Sequence, residues 1–343
     1  MKILSINEIH NNSKEMKSQV YKFSLHNKYS AGFRISNNNF VNIFKKSKFS
    51  INKSHKIFTI GSCFAREIEN KLNELEFNIV NFDFSLPDKY KLGGRWAFNE
   101  EYKKLGFTQE SERSILNKYS IRSMIDAIDI SFKINDIKIV DYLIELQGKF
   151  YNPYQHFNIG MGLNDAEILF KKCMTQYKMV ELVDFVIITL GQTELWRDKQ
   201  TEKFINGAPP TLGFHKDSSR FEFVMPELVD VKNDLDSLIN LIKDKNPGAR
   251  IILTVSPVPL SRTFAPEDSI TSNIRSKSTL LVLAREMADK FEYIDYFPSY
   301  EMVTHSNRNW AIEPDMVHVM PRCVDLVVSE FVKSYLDDDL NTR

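Results

Sequence analysis

An open α/β fold, a parallel sheet covered by helices on both faces, is predicted by three observations. Five short runs of almost wholly apolar residues, at 56–60, 77–82, 184–190, 250–255 and 291–296, have the length and composition of strands buried on both faces. Segments with helical spacing lie between or after them. Asn246-Pro247-Gly248 stops one such segment just before the next run. Strand and helix repeated in this order is the signature of the class.

In chain order, residues 1–50 are rich in Asn, Lys and Ser and read as a polar arm, with a short strand expected around 31–35. Residues 51–336 form the α/β domain. Its first strand ends at Gly61, and 65–75 follows as a helix with Ile68, Leu72 and Leu75 on one face. After the second run, 85–179 is an insertion holding a helix at 121–132 and turn-rich pieces such as Lys91-Leu92-Gly93-Gly94 and Tyr151-Asn152-Pro153. The third run leads into 196–226, a loop or flap containing Gly207, Pro209, Pro210 and Gly213. Helices are expected at 228–245, where Leu228, Val231, Leu235, Leu238 and Ile242 share a face, and at 271–290 and 323–336. The insertion and the flap both leave from the C-terminal ends of strands, where open α/β folds place their sites.

Composition narrows the functional classes. The 343 residues carry 45 Lys plus Arg against 45 Asp plus Glu, and this zero balance speaks against general nucleic-acid or anionic-membrane binding. Three cysteines, Cys63, Cys173 and Cys323, make neither a disulfide framework nor a zinc motif. No apolar stretch approaches the roughly 18 residues of a membrane span. Residues 1–17 lack the apolar core of about 7–15 residues of a secretory signal. A cytoplasmic protein is expected, and the abundance of Lys, Ile and Asn suggests an AT-rich bacterial genome.

Three segments carry chemistry. Ser62 stands where a buried strand meets a helix, offering a hydroxyl beside unpaired first-turn N–H groups, its own included, that can face an oxyanion. The same serine could simply cap the helix. Asp315 precedes His318 by three residues, a spacing at which the carboxylate can fix the imidazole's tautomer. Gly191-Gln192-Thr193-Glu194 ends the third strand and either supplies a donor to the same pocket or forms an ordinary turn, with Glu194 capping a neighbouring helix. Cys63 reads as a packed thiol. His10, His26, His55, His156, His215 and His305 show no metal-ligand spacing. Tyr151-Asn152-Pro153-Tyr154-Gln155-His156, Trp96 and Trp196 invite either stacking on sugar faces or plain packing.

Gly61-Ser62-Cys63-Phe64-Ala65 spells the name-giving motif of the GSCFA domain family. The resemblance continues through Gly191-Gln192-Thr193-Glu194, Thr254-Val255-Ser256-Pro257-Val258-Pro259-Leu260, Ser276-Lys277-Ser278, Tyr296-Phe297-Pro298-Ser299-Tyr300-Glu301 and Asp315-Met316-Val317-His318. GSCFA domains resemble SGNH (GDSL-like) hydrolases, which implies a flavodoxin-like three-layer α/β/α fold. It also implies Ser62 as nucleophile, His318 as general base and Asp315 as its orienter, with no metal or organic cofactor. Thr193 stands where that pattern has an oxyanion-binding Asn. Asn117-Lys118-Tyr119-Ser120 resembles an N-x-Y-[ST] stretch of GSCFA relatives and makes Asn117 a candidate donor. Val319-Met320 stands where relatives often carry Pro-Ser. The implied activity is that of a serine-dependent esterase or O-acyltransferase acting on acyl, foremost acetyl, esters of a carbohydrate. The other reading is a non-catalytic carbohydrate-binding or scaffold protein that keeps the pocket.

Overall fold

The computed structural model describes residues 5–6, 19–43, 45–85, 112–156, 160–209 and 219–336. Five parallel strands form its central sheet: β1 (Lys56–Gly61), β2 (Asn78–Ile79), β3 (Phe185–Leu190), β4 (Arg250–Val255) and β5 (Ile294–Tyr296). Across the sheet they run 2-1-3-4-5, the flavodoxin-like order. Each coincides with one of the expected apolar runs. β2 and β5 are the two edges and are shorter than their runs, because only part of an edge segment finds a partner.

Successive strand residues feed opposite faces of the sheet. Phe58, Ile60, Val186, Ile188, Ile251 and Leu253 pack into one core with α3 (Ile121–Lys133), α4 (Leu163–Met174), α5 (Leu228–Lys245) and α6 (Ser269–Lys290). Ile57, Phe185, Ile187 and Ile252 pack into the other with α2 (Cys63–Glu74), α7 (Ser299–His305), α8 (Arg308–Ala311) and α9 (Pro321–Tyr335). The result is a three-layer α/β/α arrangement. Helix boundaries follow local chemistry: the Asp268 side chain accepts the Ile270 N–H and starts α6, and Pro321 opens α9.

Two segments differ in detail from the expectation. Residues 31–35 lie not in a strand but in a short helix, α1 (Ala31–Asn37), capped by Ser30, whose hydroxyl accepts the Phe33 N–H. Phe33 stacks there on Phe23 at 6.0 Å. The segment after β3 contains a small antiparallel sheet in which Leu195–Asp198 is flanked by Lys203–Ile205 and Phe221–Val224. Residues 41–51 are tied to the domain through Val41 N–H on Ser306 Oγ (2.8 Å), Lys45 on Asp295 (2.5 Å) and Ile51 N–H on the Tyr335 carbonyl (2.6 Å). No helix among the described residues is long and apolar enough to cross a membrane.

The order reverses between β1 and β3, and at such a switch point the connections diverge and open a crevice at the strands' C-terminal ends. Ser62 follows β1 directly, and Gly191 follows β3.

Candidate active site

Gly61 makes the turn out of β1. Its φ of 152° lies in the region that favours glycine, and a Cβ there would fall on the Thr189 carbonyl. The close approach carries the Ser62 N–H to that same carbonyl at 3.3 Å. Ser62 is the N-cap residue of α2 in extended conformation, yet its side chain makes no capping bond. Its Oγ is buried and has no hydrogen-bond partner among the described residues, as is also true of Asn117 Oδ1 and Thr189 Oγ1. Buried polar atoms are nearly always paired, so an unpaired serine hydroxyl at this strand–helix junction needs a reason beyond packing.

Backbone hydrogen bonds stitch the three sequence blocks together. Lys118 N–H donates to the Gly61 carbonyl (2.7 Å), and Gln192 N–H donates to the Tyr119 carbonyl (2.8 Å). The Asn117–Tyr119 stretch therefore runs between the ends of β1 and β3. Ser120 closes it by capping α3, its hydroxyl accepting the Ser123 N–H at 3.2 Å. At Gly191 an added Cβ would stand 2.6 Å from the Tyr119 carbonyl oxygen and 3.2 Å from Ser62 Cβ. Ser62, Asn117 and Gly191 are thus brought to one place.

Asp315 and His318 form a second unit, on the loop entering α9. One Asp315 oxygen accepts the backbone N–H groups of Val317 (2.9 Å) and His318 (3.0 Å), and the other meets His318 Nδ1 at 2.5 Å. Met316 takes a left-handed φ of 62° to close the loop. Burial alone would raise the Asp315 carboxyl, but the His318 ring and the two N–H donors outweigh it and hold it below the usual aspartate range. An ionised carboxylate only accepts, so Nδ1 is the donor, and in the neutral tautomer this leaves the lone pair on Nε2. Val319 packs into the core beside α9, and Met320 takes the N-cap position, so the departure from Pro-Ser leaves the loop anchored. The loop stands against α2. Burial first, then the like charge of Glu313, raises the Glu67 carboxyl, while His318 opposes them.

The depressed Asp315 carboxyl sets a pH dependence. Its contribution to stability is present above the ordinary aspartate value of about 3.9 and is lost as pH falls through the folded value. Unfolding of wild type and Asp315→Asn should therefore differ near neutrality, and the gap should close in acid. A gap that does not change with pH would sink the pairing.

The remaining candidates fall in different places. Thr193 donates its N–H to Ser276 Oγ at 2.9 Å. Glu194 accepts the Thr263 hydroxyl at 2.6 Å, close to the start of α6. Its carboxyl is raised by burial, with that hydrogen bond opposing. Cys63, half-buried, opens α2, and none of the three cysteines forms a disulfide. Of the polar-aromatic cluster, Asn152, Tyr154 and Gln155 are buried, while His156 Nε2 meets the Tyr119 hydroxyl at 3.0 Å. Trp196 packs its ring against Phe223 and Phe264. His26 and His305 are exposed, and His55 Nδ1 accepts the Asn52 N–H. Trp96, His10, His215, Pro210, Gly213 and the Lys91–Gly94 turn lie outside the described residues. Glu313, Asp315 and His318 offer ligand atoms within 4.8 Å of one another, though His318 Nδ1 and one Asp315 oxygen are engaged with each other.

Sequence reasoning assigned no role to two residues that hold the site. Asn206, just after the Lys203–Ile205 strand, donates its amide to the Asn117 carbonyl (2.7 Å) and accepts the Tyr119 N–H (3.1 Å). Lys277, on α6 and buried, donates Nζ to the Gly191 carbonyl (2.6 Å). Lys277 was visible only as part of a matching tripeptide, and Asn206 left no signal at all.

Fold and site together define an α/β/α domain with a buried serine at the switch point and an Asp–His pair on the loop before its last helix. The chain belongs to the GSCFA family, whose profile matches residues 56–331. A comparison with curated proteins finds no match.

Proposed function

We propose that the protein is a serine-dependent esterase or O-acyltransferase that acts on acyl, foremost acetyl, esters of a carbohydrate. The observation that carries this reading is the Ser62 hydroxyl, buried at a helix start without the capping bond that would explain it. The resemblance to SGNH hydrolases supports the same role. His318 Nε2 takes the Ser62 proton as Oγ bonds to the ester carbonyl carbon. Because the Ser62 N–H is directed to Thr189, the oxyanion falls to the Asn117 amide and the Gly191 N–H. Collapse breaks the bond to the sugar oxygen, which leaves with the proton held by His318. Water or a second hydroxyl then repeats the sequence in reverse on the acyl-enzyme. The sugar is implied by the family resemblance, and we assign to it the half-buried Trp196, Phe223 and Phe264 rings, which pack on one another on segments that follow β3 and β4. Three cysteines that form no disulfide fit the reducing cytoplasm, where we place the protein.

The test is labelling with a fluorophosphonate, the modified peptide being identified by mass. Label on Ser62 that His318→Ala reduces by about 100-fold or more is the expected result. Folded wild-type protein that takes no label, yet binds an acylated oligosaccharide, would move the assignment to a non-catalytic binding protein.

A further inference from the structure

We propose that Lys277 is a positioning residue that holds the Gly191–Gln192 peptide in the orientation the site needs; this rests on the reading of Ser62 as nucleophile. Lys277 is 1% exposed and sits on α6, remote in sequence from every block that carries the site. An ammonium in such a place is expensive, and an apolar side chain of similar length would pack there at lower cost. Burial pushes its pKa down to about 7, opposed by the neighbouring Cys63 thiol.

What Lys277 holds is specific. Its Nζ donates to the Gly191 carbonyl at 2.6 Å, while the N–H of the same planar peptide, that of Gln192, donates to the Tyr119 carbonyl at 2.8 Å. The peptide is therefore pinned at both ends. The next N–H, that of Thr193, is held at 2.9 Å by Ser276, the neighbour of Lys277. Two consecutive α6 residues thus hold two consecutive peptides of the turn after β3. That turn lies against Ser62, since a Cβ on Gly191 would stand 3.2 Å from Ser62 Cβ. The Gly191 N–H belongs to the preceding peptide and is joined to the pinned one through a single glycine Cα, so releasing the pinned peptide would free the Gly191 dihedrals and let that N–H turn from the reacting carbonyl. Lys277 acts through that backbone and touches no substrate.

The test compares wild type with Lys277→Met and Lys277→Gln, the second keeping a donor. Amide hydrogen exchange is followed by mass spectrometry, and fluorophosphonate labelling is resolved into affinity and maximal rate. In Lys277→Met, exchange should rise in peptides spanning 190–193 and not across α6 or β4. The maximal labelling rate should fall at least tenfold with affinity little changed, and Lys277→Gln should recover part of it. Unchanged exchange at 190–193, or exchange raised throughout α6 and the sheet, would overturn the proposal, the latter because it marks a general structural role. Wild-type protein that takes no label would defeat the Ser62 reading instead, and the exchange pattern would still decide whether Lys277 holds the turn.

Discussion

Replacing Ser62 with alanine is expected to abolish fluorophosphonate labelling and ester turnover without lowering the stability of the fold. The two outcomes share one cause. Ser62 Oγ is buried with no hydrogen-bond partner among the described residues, and the side chain does not cap α2. A buried hydroxyl without a partner costs about 1–3 kcal/mol, so its removal should leave unfolding unchanged or raise stability by up to about 1 kcal/mol. A capping serine behaves in the opposite way, since loss of a cap lowers stability by about 0.5–2 kcal/mol. Urea unfolding of the two proteins, run beside the labelling assay, separates the cases. A loss of stability above about 1 kcal/mol with labelling intact would make Ser62 a structural residue.

The largest loss of stability is expected from Glu69→Ala. Glu69 is wholly buried on α2 and receives Arg113 at 2.5 Å on one oxygen and the Thr59 hydroxyl at 2.5 Å on the other, with Arg66 as a second ion-pair partner. Removing the carboxylate takes from the buried Arg66 and Arg113 the counter-charge that they share, a change that costs about 3–5 kcal/mol. The effect should reach the site. Arg113 belongs to the 3-10 turn Glu112–Leu116, which leads directly into Asn117, and its guanidinium also lies 3.8 Å from the centre of the Phe82 ring. Glu69→Ala should therefore unfold at lower denaturant and label more slowly at Ser62. Glu69→Gln, which keeps an acceptor for Thr59, should lose less. A Glu69→Ala protein as stable as wild type would mean that the network is not what holds these elements together.

The strand runs were legible because burial on both faces leaves no room for polar alternation. The five segments announce themselves as short apolar blocks, with Gly61 and the Asn246–Gly248 stop as punctuation. The helix at Ala31–Asn37 was missed because the Ser30 cap and the Phe23–Phe33 stack outweigh a weak local preference. The small sheet after β3 was missed because its strands are three or four residues long and pair across the chain.

The candidate site divides along the same line. Asp315 and His318 are three residues apart, so a single loop suffices to join them at 2.5 Å, and the sequence alone could imply the pair. Ser62 was legible as a residue at a strand–helix junction. Whether it caps the helix depends on where its side chain points, and only the folded chain decides that. Asn117 was suggested by a four-residue likeness, and the Lys118 N–H on the Gly61 carbonyl is what brings it to the crevice. Lys277 and Asn206 reach backbone carbonyls 86 and 89 residues away. Local pattern determined the strands, most of the helices and the Asp–His loop, because periodicity and short spacing are written in neighbouring residues. Tertiary structure decided the remainder, because a carbonyl oxygen is the same in every residue and leaves no mark in the sequence of the side chain that will find it.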